Sequence, residues 1–391
     1  MSNQKKPTKE EVRLQINEID QRLLKTLADR KRLVADVIAD KIRAGQPIRD
    51  VDREQALLSR LVRDGIELEL NPQFILDIYH RILDDSVRQQ YTHSLNRENE
   101  SLSKQLTIAH LGDSYSYSYL AVQRHFANYA KPFVGRGFDH FREIFNAVTN
   151  EECHLGLLPF ENTTSGTINE IHDLLREFQL YIVGEESVAV RHCLIGFPGT
   201  KIHELKNVYS HPQALAQSGA FLQKYPNIHA NFYSSTSTAV NFIKEQNDHA
   251  SAAIASREAA MHAGLSILAE DIGNQEQNYT RFLILARNPV KVPKTLPAKT
   301  TMVFSTEQKA GTLVEVLGVF KDYNINMTKL TSRPVPGKPW AQQFFVDFQG
   351  NQDDEKVIEA LAKITQTTPD FRVFGSYPEH SLDPTMIQLN E

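Results

Sequence analysis

Arg30 and Lys41 occupy places on a helix where apolar side chains belong. Residues 9–43 read as one long helix whose apolar positions are Ile16, Ile19, Leu23, Leu27, Val34 and Val37. At about 100° per residue these six fall within about 60° of the direction of Arg30, and Lys41 falls about 20° from it. Cations on a buried face are costly unless an anion meets them, and no acidic residue shares the stripe. Such a face calls for a small anionic ligand. A second helix offers Arg53 and Glu54; a third offers Ser86 and Gln90, four apart and therefore on one side. With Arg13 added, the set holds three arginines, a lysine, a carboxylate, a hydroxyl and an amide, with no activated nucleophile and no histidine pair. That suits gripping a dianion and stabilising a shift of charge, with little proton transfer. The bland reading is that each cation snorkels or joins an interchain ion pair.

A second group of residues stands at the ends of apolar runs. Glu161-Asn162-Thr163-Thr164-Ser165-Gly166 follows LLPF, Ser210-His211-Pro212-Gln213 follows NVY, Ser235-Thr236-Ser237 follows NFY, and Asn278-Tyr279-Thr280-Arg281-Phe282 precedes LILA. Ligands bind at strand ends in open α/β sheets. Hydroxyl residues there also cap the next helix, which is the structural alternative; at Thr280-Arg281-Phe282, a strand start, capping explains nothing.

These groups need elements to hold them. Residues 1–100 read as all-helical: the first helix stops at Gly45 and Pro47, Asp50 caps a second that ends near Asp64-Gly65, and Asn71-Pro72 opens a third with Phe74, Ile75, Ile78, Ile82 and Leu83 on its apolar face. The polar stretch HSLNRENESLSKQ reads as a linker. Residues 105–290 alternate short apolar runs with helical stretches, which predicts an α/β domain with mostly parallel strands. KVPKTLPAK marks a boundary, and residues 299–377 read as β-α-β-β-α-β, a ferredoxin-like order. From about Pro378 a loose tail is expected.

Bulk properties narrow the class. The chain has 391 residues, 41% of them hydrophobic, which suits two to four globular domains. A formal net charge of −5 disfavours nucleic acid as a partner. Two cysteines 40 residues apart give neither a disulfide framework nor metal spacing. No apolar run reaches the roughly 18 residues that span a bilayer, and the lysine-containing start lacks a signal-peptide core. A soluble cytoplasmic protein with no cofactor, metal, membrane or nucleic-acid partner is expected. Three helices leave little core around a helix of about 50 Å, so the stripe is expected to bury against a second copy. Arg13 lies about 26 Å from Arg30 along the axis and about 100° round, and would share a ligand with Lys41 only across an antiparallel dimer.

Arg13, Arg30, Lys41, the RD-V-DRE run at 49–54 and S-V-x-x-Q at 86–90 resemble the all-helical chorismate mutase family. The resemblance implies an intertwined dimer that rearranges chorismate to prephenate. Arg13 of the partner, Arg30 and Arg53 would hold carboxylates, Lys41 and Gln90 would stabilise the ether oxygen, Glu54 with Asp50 would hold the ring hydroxyl, and Ser86 would contact a carboxylate. The patches of residues 105–290 together resemble prephenate dehydratase, a two-lobed fold similar to periplasmic binding proteins. That resemblance implies a prephenate site of Ser116, Asn162, Thr163, Ser165, Ser235, Ser237, Thr280, Arg281 and Phe282, with Arg281 meeting either a substrate carboxylate or a structural ion-pair partner. Thr280 would donate to the departing hydroxyl as carbon dioxide leaves. The family's G-P-x-G-[ST]-[FY] reads here Gly112-Asp113-Ser114-Tyr115-Ser116-Tyr117; if the replaced glycine serves a positive φ, Tyr115 would alter the loop.

The C-terminal unit resembles an ACT domain, which implies a phenylalanine site of Gly311, Leu313, Val314, Ser332, Arg333 and Trp340, or a dimerisation module without ligand. Thr312 and Thr331 stand where related dehydratases carry Ala and Glu; the resemblance gives that carboxylate either the effector ammonium or a subunit contact as partner, so phenylalanine binding is expected, weakened in the first case. The module order resembles bifunctional chorismate mutase/prephenate dehydratases with phenylalanine feedback. The rival readings are a non-catalytic amino-acid sensor, which would not need the cationic helix, and a nucleic-acid-binding regulator, which would need its charge turned outward.

Overall fold

A computed structural model of the protein describes residues 8–44, 50–98, 105–127, 129, 132–294, 296–307, 309–335, 337–368 and 370–379. The expected breakers Gly45 and Pro47 and the expected tail after residue 379 lie outside the described residues, as do the side chains of Lys41 and Gln90. The chain divides into one unit ending at Glu98 and a second over Asn99–Leu382.

The first unit is built from α1 (Lys9–Ala44), α2 (Val51–Glu67) and α3 (Pro72–Glu98). Asp50 caps α2, its carboxylate accepting from the Arg53 amide at 3.0 Å. Asn71 starts α3 by accepting from the amides of Gln73 and Phe74. Two expectations fail at helix ends. Helix α2 runs past Gly65 because that glycine serves packing: a Cβ there would lie 2.1 Å from Cδ1 of Ile75 on α3. Helix α3 continues through the first residues of the expected linker to Glu98. Leu58, Val62, Ile75 and Leu76 form a small core. The stripe on α1 stays open to water, with Ile16, Ile19 and Leu23 50%, 53% and 56% exposed.

The second unit begins with β1 (Leu106–Leu111), α4 (Tyr117–Phe126), β2 (Phe133–Phe138), α5 (Phe141–Thr149), β3 (Leu155–Asn162), β4 (Gly166–Thr167), α6 (Asn169–Glu177) and β5 (Tyr181–Ala189). The chain then crosses to a second lobe of β6 (Cys193–Gly196), β7 (Asn207–Ser210), α7 (Pro212–Gln217), α8 (Gly219–Leu222), β8 (His229–Phe232), α9 (Thr236–Gln246), β9 (Ser251–Ala255), α10 (Arg257–Ala263) and β10 (Ser266–Ala269). It returns as β11 (Tyr279–Ala286). The first sheet has the order β2-β1-β3-β11-β5, with β4 on β3; the second has β10-β6-β9-β7-β8. Both are mixed, not mostly parallel as expected. Returning from the other lobe, β11 enters between β3 and β5 antiparallel to both, and no helical crossover imposes a parallel course. This register sets Thr280 opposite Asn162 and Arg281 opposite Glu161.

A third sheet, β13-β14-β12-β15, follows the expected ferredoxin-like order through β12 (Ala298–Ser305), α11 (Thr312–Asp322), β13 (Met327–Pro334), β14 (Gln342–Gln349), α12 (Glu355–Thr367) and β15 (Asp370–Pro378). Strand alternation gives it two apolar faces. Met302, Phe304, Val346 and Phe348 pack with Val316, Phe320, Val357 and Ile364 of the helices. Val303, Phe345, Phe374 and Tyr377 share one core with Phe160, Leu174, Ile182 and Leu283 of the first lobe. The sheet is thus sealed onto that lobe. At the seam Gly375 has φ +146°, and a Cβ would lie 2.5 Å from the Ile182 carbonyl oxygen. Gly375→Ala is expected to destabilise this unit by about 1–3 kcal/mol, read as a lower midpoint in thermal unfolding; an unchanged midpoint contradicts the close approach.

His172 is fully buried in the same seam, with its ring centroid 4.6 Å from that of Phe160 and 4.4 Å from that of Phe345. Burial, aided by the Lys329 charge, pushes its pKa down to about 4. The unfolded chain takes the proton first, near pH 6.5. Stability from this group is therefore complete above about pH 6.5 and falls by roughly 2–4 kcal/mol as the pH drops toward 4. Unfolding curves of the wild type and His172→Leu across that range check this: the variant should lack that part of the acid slope, and equal slopes would refute it.

Candidate active sites and a candidate effector pocket

In the N-terminal unit a cavity of about 220 Å³ is lined by Arg30, Val34, Asp50, Arg53, Glu54 and Ser86, together with Leu33, Val37, Leu57, Leu83 and Val87. Arg30 is half-buried and donates to the Ser86 hydroxyl at 2.6 Å; Ser86, itself buried, donates to the Ile82 carbonyl at 2.7 Å. Helix α3 thus spends the serine proton on its own backbone and turns the oxygen toward the guanidinium. Cations and carboxylates on apolar walls can hold a small ring that carries both carboxylate and hydroxyl groups. Five of the expected groups converge here: Arg30, Asp50, Arg53, Glu54 and Ser86. Arg13 is exposed on α1 and does not line this cavity.

Where the two lobes meet, Asn162 is the central group. It is 7% exposed. Its Oδ1 accepts from the Thr164 and Ser165 amides at 2.9 and 3.0 Å and from the Ser165 hydroxyl at 2.9 Å. Backbone N–H groups only donate, so the amide has one orientation. Its Nδ2 therefore donates to Thr280 Oγ1 at 3.0 Å, as well as to Asn278 Oδ1 at 2.6 Å and the Tyr279 carbonyl at 3.1 Å. Thr280 accepts from Asn162, which leaves its own proton to donate elsewhere.

Behind Asn162 lies a chain of polar groups absent from the expected set. Gln217 Nε2 donates to Asn162 Oδ1 at 3.3 Å, and Gln217 Oε1 accepts from Asn278 Nδ2 at 3.1 Å and from His192 Nε2 at 2.9 Å. Tyr117 lies 3.2 Å from the other His192 nitrogen. Burial lowers the His192 pKa and keeps the ring neutral. One signal pointed to Gln217: it follows Gln213 by four residues, on the same face of α7. Gln213 donates to the Ser165 hydroxyl, tying the lobes together.

Other expected residues have different work. Ser116 caps α4 and Ser235 caps α9. Thr163 accepts from the Tyr279 amide at 3.0 Å, fastening β3 to β11. Buried Ser237 donates to Asp113, which also accepts from Asn241 at 3.2 Å. The altered loop has a positive φ at Tyr115, +72°, with the ring stacked on His262 at 3.7 Å. Two further residues of the expected set lie away from this polar chain. Phe282 is 1% exposed and belongs to the core of the first lobe. Arg281 turns to the opposite side of β11 from Thr280, toward the third sheet, and donates to Glu185, Glu161, Asp347 and Tyr377.

At the start of α11 a cavity of about 270 Å³ is lined by Gly311, Leu313, Val314 and Trp340, with Thr306, Glu307, Lys309, Thr312, Gln342 and Phe344. Gly311 has φ +90°, and Trp340 is 89% exposed. Ser332 pairs with Phe344 across β13–β14 but does not line the cavity, and Arg333 donates instead to Asp173 of α6 at 2.8 Å. By alternation Thr331 shares the side of Lys329 and Arg333, which face the first lobe. A carboxylate at that position would not reach this cavity.

These arrangements agree with what the chain is similar to. The family model for chorismate mutase type II matches residues 12–91, that for prephenate dehydratase residues 108–290, and that for the ACT domain residues 300–366. A bifunctional chorismate mutase/prephenate dehydratase of Escherichia coli (strain K12) is 36% identical over 373 residues, covering 95% of this chain and 97% of that protein. Among solved structures, a prephenate dehydratase from Arthrobacter aurescens in complex with L-Phe has a TM-score of 0.64 at 26% identity, over 72% of this chain and 93% of that one. GqqA, described as a novel type of quorum quenching acylase, has a TM-score of 0.63 at 29% identity, over 70% and 98%. No helix among the described residues is long and apolar enough to cross a membrane. A charged cavity among helices, a threonine hydroxyl between two lobes and a ferredoxin-like sheet thus occur in one chain, in the order of a relative aligned almost end to end, and the chain belongs to the bifunctional chorismate mutase/prephenate dehydratases with an ACT domain.

Proposed function

We propose that the Arg30–Ser86 pocket performs the mutase step and that Thr280, held by Asn162, performs the dehydratase step. In the first, Arg30 and Arg53 hold the carboxylates of chorismate and Glu54 with Asp50 the ring hydroxyl. One C–O bond breaks as one C–C bond forms, without a covalent intermediate. Catalysis then comes from holding a compact conformer and stabilising the ether oxygen, the role assigned to Lys41 and Gln90. In the second, the ring carboxylate of prephenate leaves as carbon dioxide and its bonding pair enters the ring. The hydroxyl departs as water with the Thr280 proton, which solvent replaces. A threonine is a weak acid, so placement and aromatisation supply the drive. The observation that carries this reading is the one-way hydrogen bond from Asn162 to Thr280.

The α11 cavity is read as the phenylalanine site: carboxylate at the helix start near Gly311, side chain against Leu313, Val314 and Trp340, and feedback inhibition as the result. The open stripe of α1 supports an antiparallel dimer in which each copy lends Arg13 to the other's pocket, in a cytoplasmic enzyme.

Arg30→Ala is expected to lower mutase turnover by about 100-fold or more and to spare dehydration of supplied prephenate. Thr280→Val should do the reverse, by about 100-fold. Separate assays on each variant decide; loss of both activities from a folded protein overturns the two-site assignment. Leu23→Glu should shift the sedimenting species from dimer to monomer and take mutase activity with it. A wild type that sediments as a monomer ends the shared-site reading.

A further inference from the structure

Two adjacent strands of the dehydratase lobe work on both their sides. On β11, Thr280 faces Asn162 and Arg281 faces the ACT sheet; on β3, Asn162 and Glu161 divide in the same way. The Arg281 guanidinium donates from Nε to Glu185 at 2.7 Å, from one terminal nitrogen to Glu161 at 2.8 Å and Asp347 at 2.6 Å, and from the other to the Tyr377 hydroxyl at 2.9 Å. Lys299 reaches Glu185 at 2.8 Å, and Lys329 reaches Glu161. Three cations meet three carboxylates, so the charges cancel. Arg281, Glu161 and Glu185 come from the lobe; Lys299, Lys329 and Asp347 come from the ACT sheet. The side chains of Arg281 and Lys299 are each 12% exposed and that of Asp347 is 2% exposed. Displacing β14 against β11 would strand charges away from water, so the two strands move together or not at all. Strand β14 also carries Phe344, which lines the α11 cavity three residues before Asp347, about 10 Å along the strand.

We propose that Arg281 is a positioning residue for dehydration, and that this six-charge cluster is the rigid link through which the ACT sheet sets the placement of Thr280 and Asn162. Through β14, occupancy of the α11 cavity reaches the same two residues. The regulatory half rests on the phenylalanine reading above; the positioning half does not.

Asp347→Asn in the full chain tests both. It keeps the size of the side chain and an acceptor for Thr301, which donates to Asp347 at 2.7 Å, while removing the charge opposite Arg281. Dehydratase kcat should fall roughly tenfold with KM for prephenate within about twofold. Calorimetry should show L-phenylalanine binding as in the wild type while its inhibition weakens, and the mutase rate should be unchanged. Arg281→Lys should shift kcat in the same direction. Wild-type kcat and inhibition in folded Asp347→Asn overturn the proposal. A loss confined to KM also overturns it, since Arg281 would then be serving substrate binding. A lower kcat with inhibition intact keeps the positioning role and refutes the link to the cavity. If Asp347→Asn does not fold, Tyr377→Phe removes only the hydroxyl that Arg281 and Thr301 share. A smaller drop in kcat supports the proposal there, and wild-type values overturn it. Failure of the wild type to bind L-phenylalanine refutes the effector reading alone, and kcat still decides the positioning role.

Discussion

A guanidinium cut off from water must find its solvation in the protein, and Arg281 finds it in Glu161, Glu185 and Asp347. Burial works against a charged side chain, but the converging carboxylates hold the arginine pKa well above its usual value. In return, burial would raise the Asp347 pKa, yet Arg281 and the Thr301 hydroxyl hold it below the ordinary range. Each charge is tolerable only while the others stay in place. Two of the partners stand on the dehydratase lobe and one on the ACT sheet. The constraint therefore joins the two domains at the strand that carries Thr280.

On the opposite side of that strand the polar network is built from neutral groups. A hydroxyl and a carboxamide, Thr280 and Asn162, carry no charge near neutral pH. The site instead specifies direction: backbone amides fix Asn162, Asn162 fixes Thr280, and Gln217 with neutral His192 closes the polar chain behind them. Such an arrangement suits a substrate that gains aromaticity by losing carbon dioxide and water. The lobes also meet through Asp113 and Ser237 and through Tyr115 and His262. The residues that depart from the family loop thus make contacts of their own between the lobes.

The mutase unit follows a different economy of burial. Among the described residues its buried core is Leu58, Val62, Ile75 and Leu76, and its long first helix leaves an apolar stripe in water. Arg30 escapes the cost of an inward cation by lying beside the Ser86 hydroxyl, on the wall of a cavity large enough for a small molecule.

Periodicity and residue type carried much of this into the linear chain. The Asp50 cap and the ferredoxin-like order of residues 299–377 were legible because each depends on neighbours within a turn or a strand. The candidate mutase groups were legible for the same reason, since helical spacing places side chains without knowledge of the fold. Strand direction was not legible. The antiparallel entry of β11 depends on where the second lobe returns the chain, and only that return sets Arg281 beside Asp347, 66 positions later in the chain. Gly65 looked like a helix end but is a contact for Ile75, because a glycine reads alike whether it ends a helix or admits a neighbour. The motif Thr280-Arg281-Phe282 marked a strand start without telling that strand's sides apart. Which residue faced Asn162, which the core and which the ACT sheet was settled by the surfaces packed against β11, and such packing leaves no periodic trace in the order of residues.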